Sequence, residues 1–118
     1  MTIRIKRIYA APAENDGFRV LVDRIWPRGM QKAQAEIDLW LKDIAPSPEL
    51  RRWFGHQESR WPEFRSRYSR ELDDRGEQVA SLLERARQGA VTLLFAARDE
   101  ERNNAAVLRD YLQERLQS

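Results

Sequence analysis

Two apolar segments constrain the fold more than any other feature of the sequence. FRVLVDRI (18–25) and VTLLFAA (91–97) are short and nearly continuously apolar, which is typical of strands covered on both faces. About sixty residues of mostly helical pattern separate them, the kind of connection that parallel neighbouring strands require. The sequence therefore predicts an α/β fold with parallel strands at its centre.

The remaining periodicities complete the plan. Alternation in IRIKRIY predicts a first strand, and Asn15-Asp16-Gly17 predicts a turn. Apolar spacing predicts helices over 36–44, 48–54, 61–72, 77–88 and 105–116. Gly89 is expected to end the fourth helix in a left-handed conformation. We expect one domain over residues 1–118, with a small, mostly parallel sheet of three strands, or slightly more, under about five helices.

Composition excludes several classes of protein. A chain of 118 residues with 42% apolar residues and four tryptophans should fold, and its near balance of 21 basic and 19 acidic residues argues against a large nucleic-acid footprint. The absence of cysteine removes disulfides, thiol nucleophiles and thiolate metal sites. No membrane-length apolar segment, cofactor-binding signature or metal-ligand spacing is present. We therefore expect a cytoplasmic protein with no membrane contact, cofactor or metal.

Charged and polar side chains are concentrated where the two buried strands end. DRIWPRG (23–29) follows one strand and ARDEERNN (97–104) follows the other, and the second leads into the N-terminus of the last predicted helix. If the strands are parallel, both segments emerge at the edge where open α/β sheets bind ligands. A helix N-terminus also favours anions. The sequence thus predicts an anion-binding site at the carboxyl edge of the sheet.

Two residues are candidates for proton transfer. Asp23 leaves a buried strand and could act as a base or orient a substrate; alternatively, Arg24 or Arg28 neutralises it, or it caps the turn. His56 is the sole histidine and the only side chain that ordinarily titrates near neutrality. Its alternative is a capping or hydrogen-bonding group at a helix end.

A wider set of residues is expected to contact the ligand. Planar guanidinium groups bind phosphates and carboxylates, tryptophan can stack or form an apolar lid, and glycine permits close approach of the backbone. Ser47 is also a credible helix N-cap, Arg98 could pair with Asp23 or Asp99, and one asparagine is expected to cap the last helix. The predicted ligand-binding residues are Arg24, Trp26, Arg28, Gly29, Ser47, Arg51, Arg98, Asn103 and Asn104.

The segments VLVDRIWPRG, LWLKDIAPSPELRRWFGH and TLLFAARDEERNNA together resemble the YeaO-like family, small bacterial proteins grouped as a domain of unknown function. The resemblance covers nearly the whole chain. It implies a compact α/β domain and carries no known activity. Members typically have histidine at the position of Asn104, so chemistry that depends on that histidine is not expected here.

Three functions are compatible with the sequence. The first is binding, or conversion, of an anionic small molecule such as a nucleotide or phosphorylated metabolite at the sheet edge. The second is nucleic-acid binding by the arginine-rich face that runs from Arg60 to Arg75. The third is a non-enzymatic interaction domain, for example a homodimer formed through exposed tryptophans. We favour the first, because its residues converge on one predicted location.

Overall fold

The strands form one parallel sheet. The computed structural model describes residues 2–117, and in it β1 (Ile3–Arg7), β2 (Phe18–Leu21), β3 (Leu39–Trp40) and β4 (Val91–Phe95) are arranged in the order β1-β4-β2-β3. Every pairing is parallel. The α/β class and the parallel pairing of the two buried strands are confirmed, and the sheet has one strand more than the three first expected.

Within residues 2–117, five α-helices accompany the sheet. They are α1 (Lys32–Ala35), α2 (Pro48–Phe54), α3 (Trp61–Asp73), α4 (Gly76–Gln88) and α5 (Asn104–Leu116), with short 3₁₀ turns at 14–16, 42–44 and 58–60. Helices α2 to α5 correspond to predicted helices. The short α1 was not predicted from the sequence.

The helix predicted over 36–44 is wrong. Leu39–Trp40 is instead the edge strand β3, and residues 42–44 form a 3₁₀ turn. Leu41 N donates to the carbonyl of Leu21 at 2.9 Å, and Asp38 N donates to the carbonyl of Arg19 at 2.8 Å. The backbone N–H and C=O groups at the edge of β2 require hydrogen-bond partners. This requirement outweighs the helical spacing of the apolar side chains in 36–44.

Glycines end two helices in different ways. Gly55 ends α2 with φ 52°, in the left-handed region, and its N–H donates to the carbonyl of Arg51. Gly89 follows α4, but its φ of 171° is extended, so the predicted left-handed cap is wrong there. The backbone turns directly into β4, which begins at Val91 and pairs in parallel with the start of β2. An extended residue suits that immediate change from helix to strand.

The core has two layers separated by the sheet. Alternate strand residues such as Val20 and Leu93 pack with helices α2 to α5, whereas Leu21 and Leu94 face a smaller cluster on the other side. The chain between residues 26 and 40, including Ala35, covers that smaller side. Coverage of both faces explains why β2 and β4 are apolar almost throughout.

A cluster of ion pairs lies at the amino end of β2. Asp16 accepts hydrogen bonds from Lys6 Nζ at 2.9 Å and from Arg19 Nη1 at 2.5 Å. The remaining donors of Arg19 bind the carbonyls of Ala35 and Glu36 at 2.7 and 3.0 Å. Asp16 and Arg19 are both buried. We call Lys6, Asp16 and Arg19 the amino-end ion cluster.

Candidate functional site

A cavity of about 830 Å³ lies at the carboxyl edge of the sheet. Its walls come from the segments after β2 and β4, from the residues that precede α2, and from α2 with the turn after it. The volume lies within the range typical of small-molecule sites. The two segments that the sequence predicts to meet, 23–29 and 97–104, both contribute to this cavity.

The cavity lining combines charged and apolar side chains. Three lining arginines and His56 are exposed, and most of the apolar lining residues are buried, although Tyr9 and Ile25 are exposed. We call the solvent-exposed side of the cavity its mouth. The exposed arginines of the lining are Arg28, Arg51 and Arg98, and the buried apolar residues are Pro27, Ala45, Pro46, Phe54 and Phe64.

Three arginines at the mouth lack a hydrogen-bond or ion-pair partner among the described residues. The side chains of Arg28, Arg51 and Arg98 form no hydrogen bond or ion pair with any residue in the range 2–117. The salt bridge from Arg98 to Asp23 or Asp99, one reading of the sequence, is therefore absent from this part of the chain. We call Arg28, Arg51 and Arg98 the mouth arginines.

Arg24 positions a wall of the cavity. Its Nη2 donates to the carbonyl of Ala45 at 3.3 Å, and Arg75 donates to the same carbonyl. Its Nε is buried and has no hydrogen-bond partner among the described residues. Tyr68 Oη donates to the neighbouring carbonyl of Ile44 at 2.6 Å. These bonds fix the residues that lead into α2, and hence the position from which Arg51 projects.

Hydrogen bonds, and no ion pair, hold the carboxylate of Asp23 within residues 2–117. Its Oδ2 accepts from Ala96 N at 2.9 Å, and its Oδ1 accepts from Asn104 Nδ2 at 3.0 Å. Burial raises the pKa of Asp23 above its ordinary value, although these two hydrogen bonds and the charge of Arg51 act in the opposite direction. Asp23 forms no ion pair with Arg24, so neutralisation by that neighbour is not what holds it.

The two asparagines have different roles. Asn103 caps α5, because its Oδ1 accepts from Ala106 N at 2.8 Å, and its Nδ2 donates to the carbonyl of Asp99 at 3.0 Å. The prediction that one asparagine caps this helix is confirmed. Asn104 instead donates from Nδ2 to the carbonyl of Val22 at 3.1 Å as well as to Asp23. It therefore ties the start of α5 to the end of β2.

Trp26 and His56 both line the cavity. Trp26 Nε1 donates to the carbonyl of Met30 at 2.7 Å, and its ring packs edgewise on Trp40 with centroids 5.3 Å apart. His56 adopts the left-handed region with φ 58° and lies beside the ring of Phe54. Its side chain makes no hydrogen bond within residues 2–117, so a capping role for it is not observed there.

Gly29 and Ser47 lie outside the cavity lining. Gly29 has φ 75°, which suits the turn after Pro27, and faces open space. Ser47 is the N-cap of α2: its Oγ accepts from Leu50 N at 3.2 Å and donates to Glu71 Oε2 at 2.6 Å. The capping interpretation of Ser47 is confirmed, and no ligand contact is needed to explain the residue.

Several lining residues were not predicted from the sequence. Tyr9 follows β1, and its hydroxyl donates to the carbonyl of Arg28 at 2.8 Å, which fixes the turn that carries one of the mouth arginines. Arg102 also lines the cavity and pairs with Glu58 and Asp99. A parallel assignment of β1 would have identified Tyr9, because all parallel strands end at one edge. No sequence pattern indicated that Phe54 and Phe64 line the cavity.

Residues 2–117 contain no group of three histidine or acidic side chains placed to hold a metal ion. Within the same residues no helix is long and apolar enough to span a bilayer. The polar side chains of the lining include arginines, one histidine, asparagines, aspartates and the hydroxyl of Tyr9.

The fold and the cavity together define a small α/β protein with a parallel sheet and a cationic cavity at its carboxyl edge. More particularly, the chain belongs to the YeaO-like family of unknown function: a family profile described as the inactive DUF488-N3 subclade matches residues 2–118. It is 44% identical over 110 residues to the uncharacterized protein Rv3073c of Mycobacterium tuberculosis, covering 93% of this chain and 92% of that one. It is 39% identical over 112 residues to the uncharacterized protein YeaO of Escherichia coli, covering 95% and 97%. No solved structure matches the chain significantly.

Proposed function

We propose that the protein binds an anionic small molecule, a nucleotide or a phosphorylated metabolite, in the cavity at the carboxyl edge, and that it does so in the cytoplasm. The observation that carries this proposal is the absence of partners for the mouth arginines within the described chain. Unpaired guanidinium groups around a cavity offer bidentate donors to phosphate or carboxylate. An anion bound in the cavity would supply the partner that they lack.

The charge of the cavity supports the same conclusion. Its lining contains more arginines than aspartates, and the aspartate nearest the interior is already occupied by a backbone N–H and an amide. A lining with excess positive charge and low-dielectric walls attracts anions from solution. The lining arginines are Arg24, Arg28, Arg51, Arg98 and Arg102, and the lining aspartates are Asp23 and Asp99.

Binding without turnover is the form of this function that we favour. The family profile is described as inactive. The two candidates for proton transfer, Asp23 and His56, are not hydrogen-bonded to each other: Asp23 accepts from Ala96 and Asn104, and His56 is exposed and makes no hydrogen bond with the described residues. Proton transfer by paired groups requires that they lie within hydrogen-bond reach of each other or of a shared substrate.

The arginine-rich face on α3 offers less to a ligand. Arg65 pairs with Asp110 at 3.2 Å, Arg67 pairs with Glu63, and Arg75 lies 3.6 Å from Glu71. Cations already paired with carboxylates contribute little to the counterion release that drives binding to nucleic acid. The four tryptophans are half-buried rather than exposed, so they do not favour a homodimer formed through tryptophan contacts.

Thermal unfolding with a panel of anions tests the proposal. Inorganic phosphate, sugar phosphates, nucleoside monophosphates and carboxylates are added separately to the purified protein. A ligand present at about one hundred times its Kd adds roughly 2.7 kcal/mol of stability, which means several degrees in Tm for a chain of this size. A shift confined to one class of anion is expected.

Two adjacent arginines provide a matched pair of variants. Arg51 and Arg52 are both exposed on α2 and neither side chain has a partner within the described residues, but only Arg51 lines the cavity. Arg51→Ala is expected to abolish most of the shift in Tm, and Arg52→Ala to leave it unchanged. Equal effects of the two variants, or no shift with any anion, would overturn the proposal.

A further inference from the structure

Two large apolar side chains remain exposed, and both line the cavity. Ile25 is 57% exposed and Tyr9 is 42% exposed. Neither belongs to either layer of the core, whereas the other large aliphatic and aromatic side chains within residues 2–117 are buried or half-buried. Because removal of apolar surface from water is favourable, a ligand that covers Ile25 and Tyr9 gains free energy of binding from them.

Charged and apolar side chains are neighbours in this lining. Tyr9 Oη donates to the carbonyl of Arg28 at 2.8 Å, so the phenol ring lies at the turn that carries this mouth arginine. Arg51 and Phe54 both line the cavity and lie three residues apart on α2, a spacing that brings side chains to the same face of a helix. An anionic group bound by either arginine therefore lies beside apolar surface.

The size of the cavity points to a ligand larger than an anionic group alone. Its volume of about 830 Å³ is in the upper part of the range for small-molecule sites, which usually bury most of the surface of their ligand. A bare phosphate or carboxylate fills only a small part of this volume and leaves the apolar lining in contact with water. The remainder of a ligand that fills the cavity meets aliphatic and aromatic side chains.

We propose that the anion carries an apolar body, a hydrocarbon group or an aromatic ring, which binds against Tyr9, Ile25 and Phe54 while its phosphate or carboxylate binds the mouth arginines. This inference rests on the proposed function, since it names the kind of anion that the same cavity takes. A hydroxylated body such as a sugar is disfavoured, because its hydroxyls would lose water without gaining partners from apolar side chains. A nucleotide meets the requirement through its base, which can stack on aromatic rings.

A series of alkyl phosphates tests this directly. Methyl, ethyl, propyl and butyl phosphate carry the same charge and differ only in the length of the hydrocarbon chain. Isothermal titration calorimetry on the full chain should show Kd falling about two- to fourfold with each added methylene, because each one is transferred from water to the apolar lining. The same Kd for all four compounds would overturn the inference.

A hydroxylated compound of the same length is the matched control. Glycerol 1-phosphate has the charge and the chain length of propyl phosphate but carries two hydroxyl groups. Propyl phosphate should bind at least about fivefold more tightly, because hydroxyls that meet apolar side chains lose their hydrogen bonds to water. Equal or tighter binding of glycerol 1-phosphate would contradict an apolar body.

Adenosine monophosphate and ribose 5-phosphate extend the control to nucleotides, since the two compounds differ by the base. If adenosine monophosphate binds more tightly, the apolar body is an aromatic base. If only the alkyl phosphates gain affinity over their hydroxylated counterpart, the body is a hydrocarbon group. Either result supports the inference, and the absence of a gain in both comparisons would overturn it.

Ile25 offers a variant that changes the apolar lining and leaves the arginines intact. Because Ile25 is exposed and outside the core, Ile25→Ser should remain folded by circular dichroism and thermal unfolding. It should weaken butyl phosphate at least about threefold and leave methyl phosphate unchanged, whereas Ile25→Leu, which keeps the apolar surface, should bind both as the parent protein does. If butyl phosphate kept its full advantage in Ile25→Ser, the assignment of the apolar body to this lining would be wrong.

Arg51→Ala separates the inference from the proposed function. It should weaken methyl phosphate and butyl phosphate by a similar factor, because it removes a contact with the phosphate that both compounds share. If binding depends on Arg51 but not on the length of the alkyl chain, this inference falls and the proposed function stands. If no phosphate compound binds, both fall.

Discussion

The two ends of β2 use similar residues for different purposes. At the amino end, Arg19 is buried and its guanidinium donors bind Asp16 and two backbone carbonyls. At the carboxyl end, Arg51 and Arg98 are exposed beside a cavity and bind nothing within residues 2–117. A paired, buried arginine holds the fold together. An unpaired arginine at a cavity is available to a ligand, and its pairing state, rather than its residue type, distinguishes the two roles.

The carboxyls at the two ends differ in the same way. Burial by itself would raise the pKa of Asp16, but hydrogen bonds from Lys6, the backbone of Ala13 and Arg19 outweigh it and lower the pKa below its ordinary value. Burial raises the pKa of Asp23, and its two hydrogen bonds and the charge of Arg51 do not outweigh that effect. The ionised form is favoured at one end of the strand and disfavoured at the other.

The largest expected effect comes from breaking the amino-end ion cluster. Asp16→Ala removes the partner of both Lys6 and Arg19 and leaves the guanidinium of Arg19 buried without its carboxylate. Loss of one member of a buried ion pair costs about 3–5 kcal/mol. Urea denaturation should therefore show a free energy of unfolding lower by that amount.

An exposed aspartate provides the control for Asp16→Ala. Asp74 follows α3, is exposed, and its side chain has no partner within the described residues. Asp74→Ala should change the free energy of unfolding by no more than about 0.5 kcal/mol. A similar loss in both variants would show that the amino-end ion cluster does not stabilise the fold.

The second effect concerns binding at the opposite end. Arg98→Ala should leave the free energy of unfolding within about 0.5 kcal/mol of the parent protein, because Arg98 is exposed and without a partner among the described residues. Affinity for a nucleoside monophosphate should fall at least about tenfold, as expected for loss of a charge-assisted hydrogen bond. Paired calorimetric and urea measurements distinguish this result from a loss of stability.

The smallest effect is a pair of opposite pH dependences. Asp16, with its lowered pKa, contributes stability that is present above the ordinary aspartate pKa of about 4 and is lost as the pH falls through the folded-state value. Asp23, with its raised pKa, contributes stability that is present below the ordinary value and is lost as the pH rises through the folded-state value.

Two variants measure these opposite dependences. The free energy of unfolding of the parent minus that of Asp16→Asn should decrease as the solution is acidified, and the corresponding difference for Asp23→Asn should increase. Urea denaturation at a series of pH values on both sides of the ordinary aspartate pKa of about 4 gives both differences. If the two free-energy differences changed in the same direction with pH, the opposite pKa shifts of Asp16 and Asp23 would be contradicted.

The sequence predicts those parts of the fold in which local pattern and tertiary environment agree. The apolar runs of β2 and β4 are buried on both faces, and Ser47 with Pro48 begins a helix as their residue types favour. The prediction of a helix fails at Leu39–Trp40, because the apolar spacing there fits a helix whereas these residues pair with the edge of β2 as a strand. A strand of two residues leaves almost no periodicity to detect.

The location of the site was predictable to the extent that it follows from parallel strands. The chain order placed Asp23 and Arg98 at one edge, and both line the cavity. The pairing state of each arginine was not predictable, because it depends on side chains far apart in the sequence, such as Arg102 and Glu58. The role of Asn104, which reaches the carbonyl of Val22, also depends on the folded position of α5.

Arginine side-chain NMR tests the central claim most directly. The Nε–Hε resonances are assigned by single substitutions and followed while adenosine monophosphate is added. We predict that the resonances of Arg28, Arg51 and Arg98 shift with one saturable Kd, whereas those of Arg19 and Arg52 do not move. Shifts that never saturate, or that affect Arg52 as much as Arg51, would contradict the claim that the unpaired arginines at the carboxyl edge form an anion site.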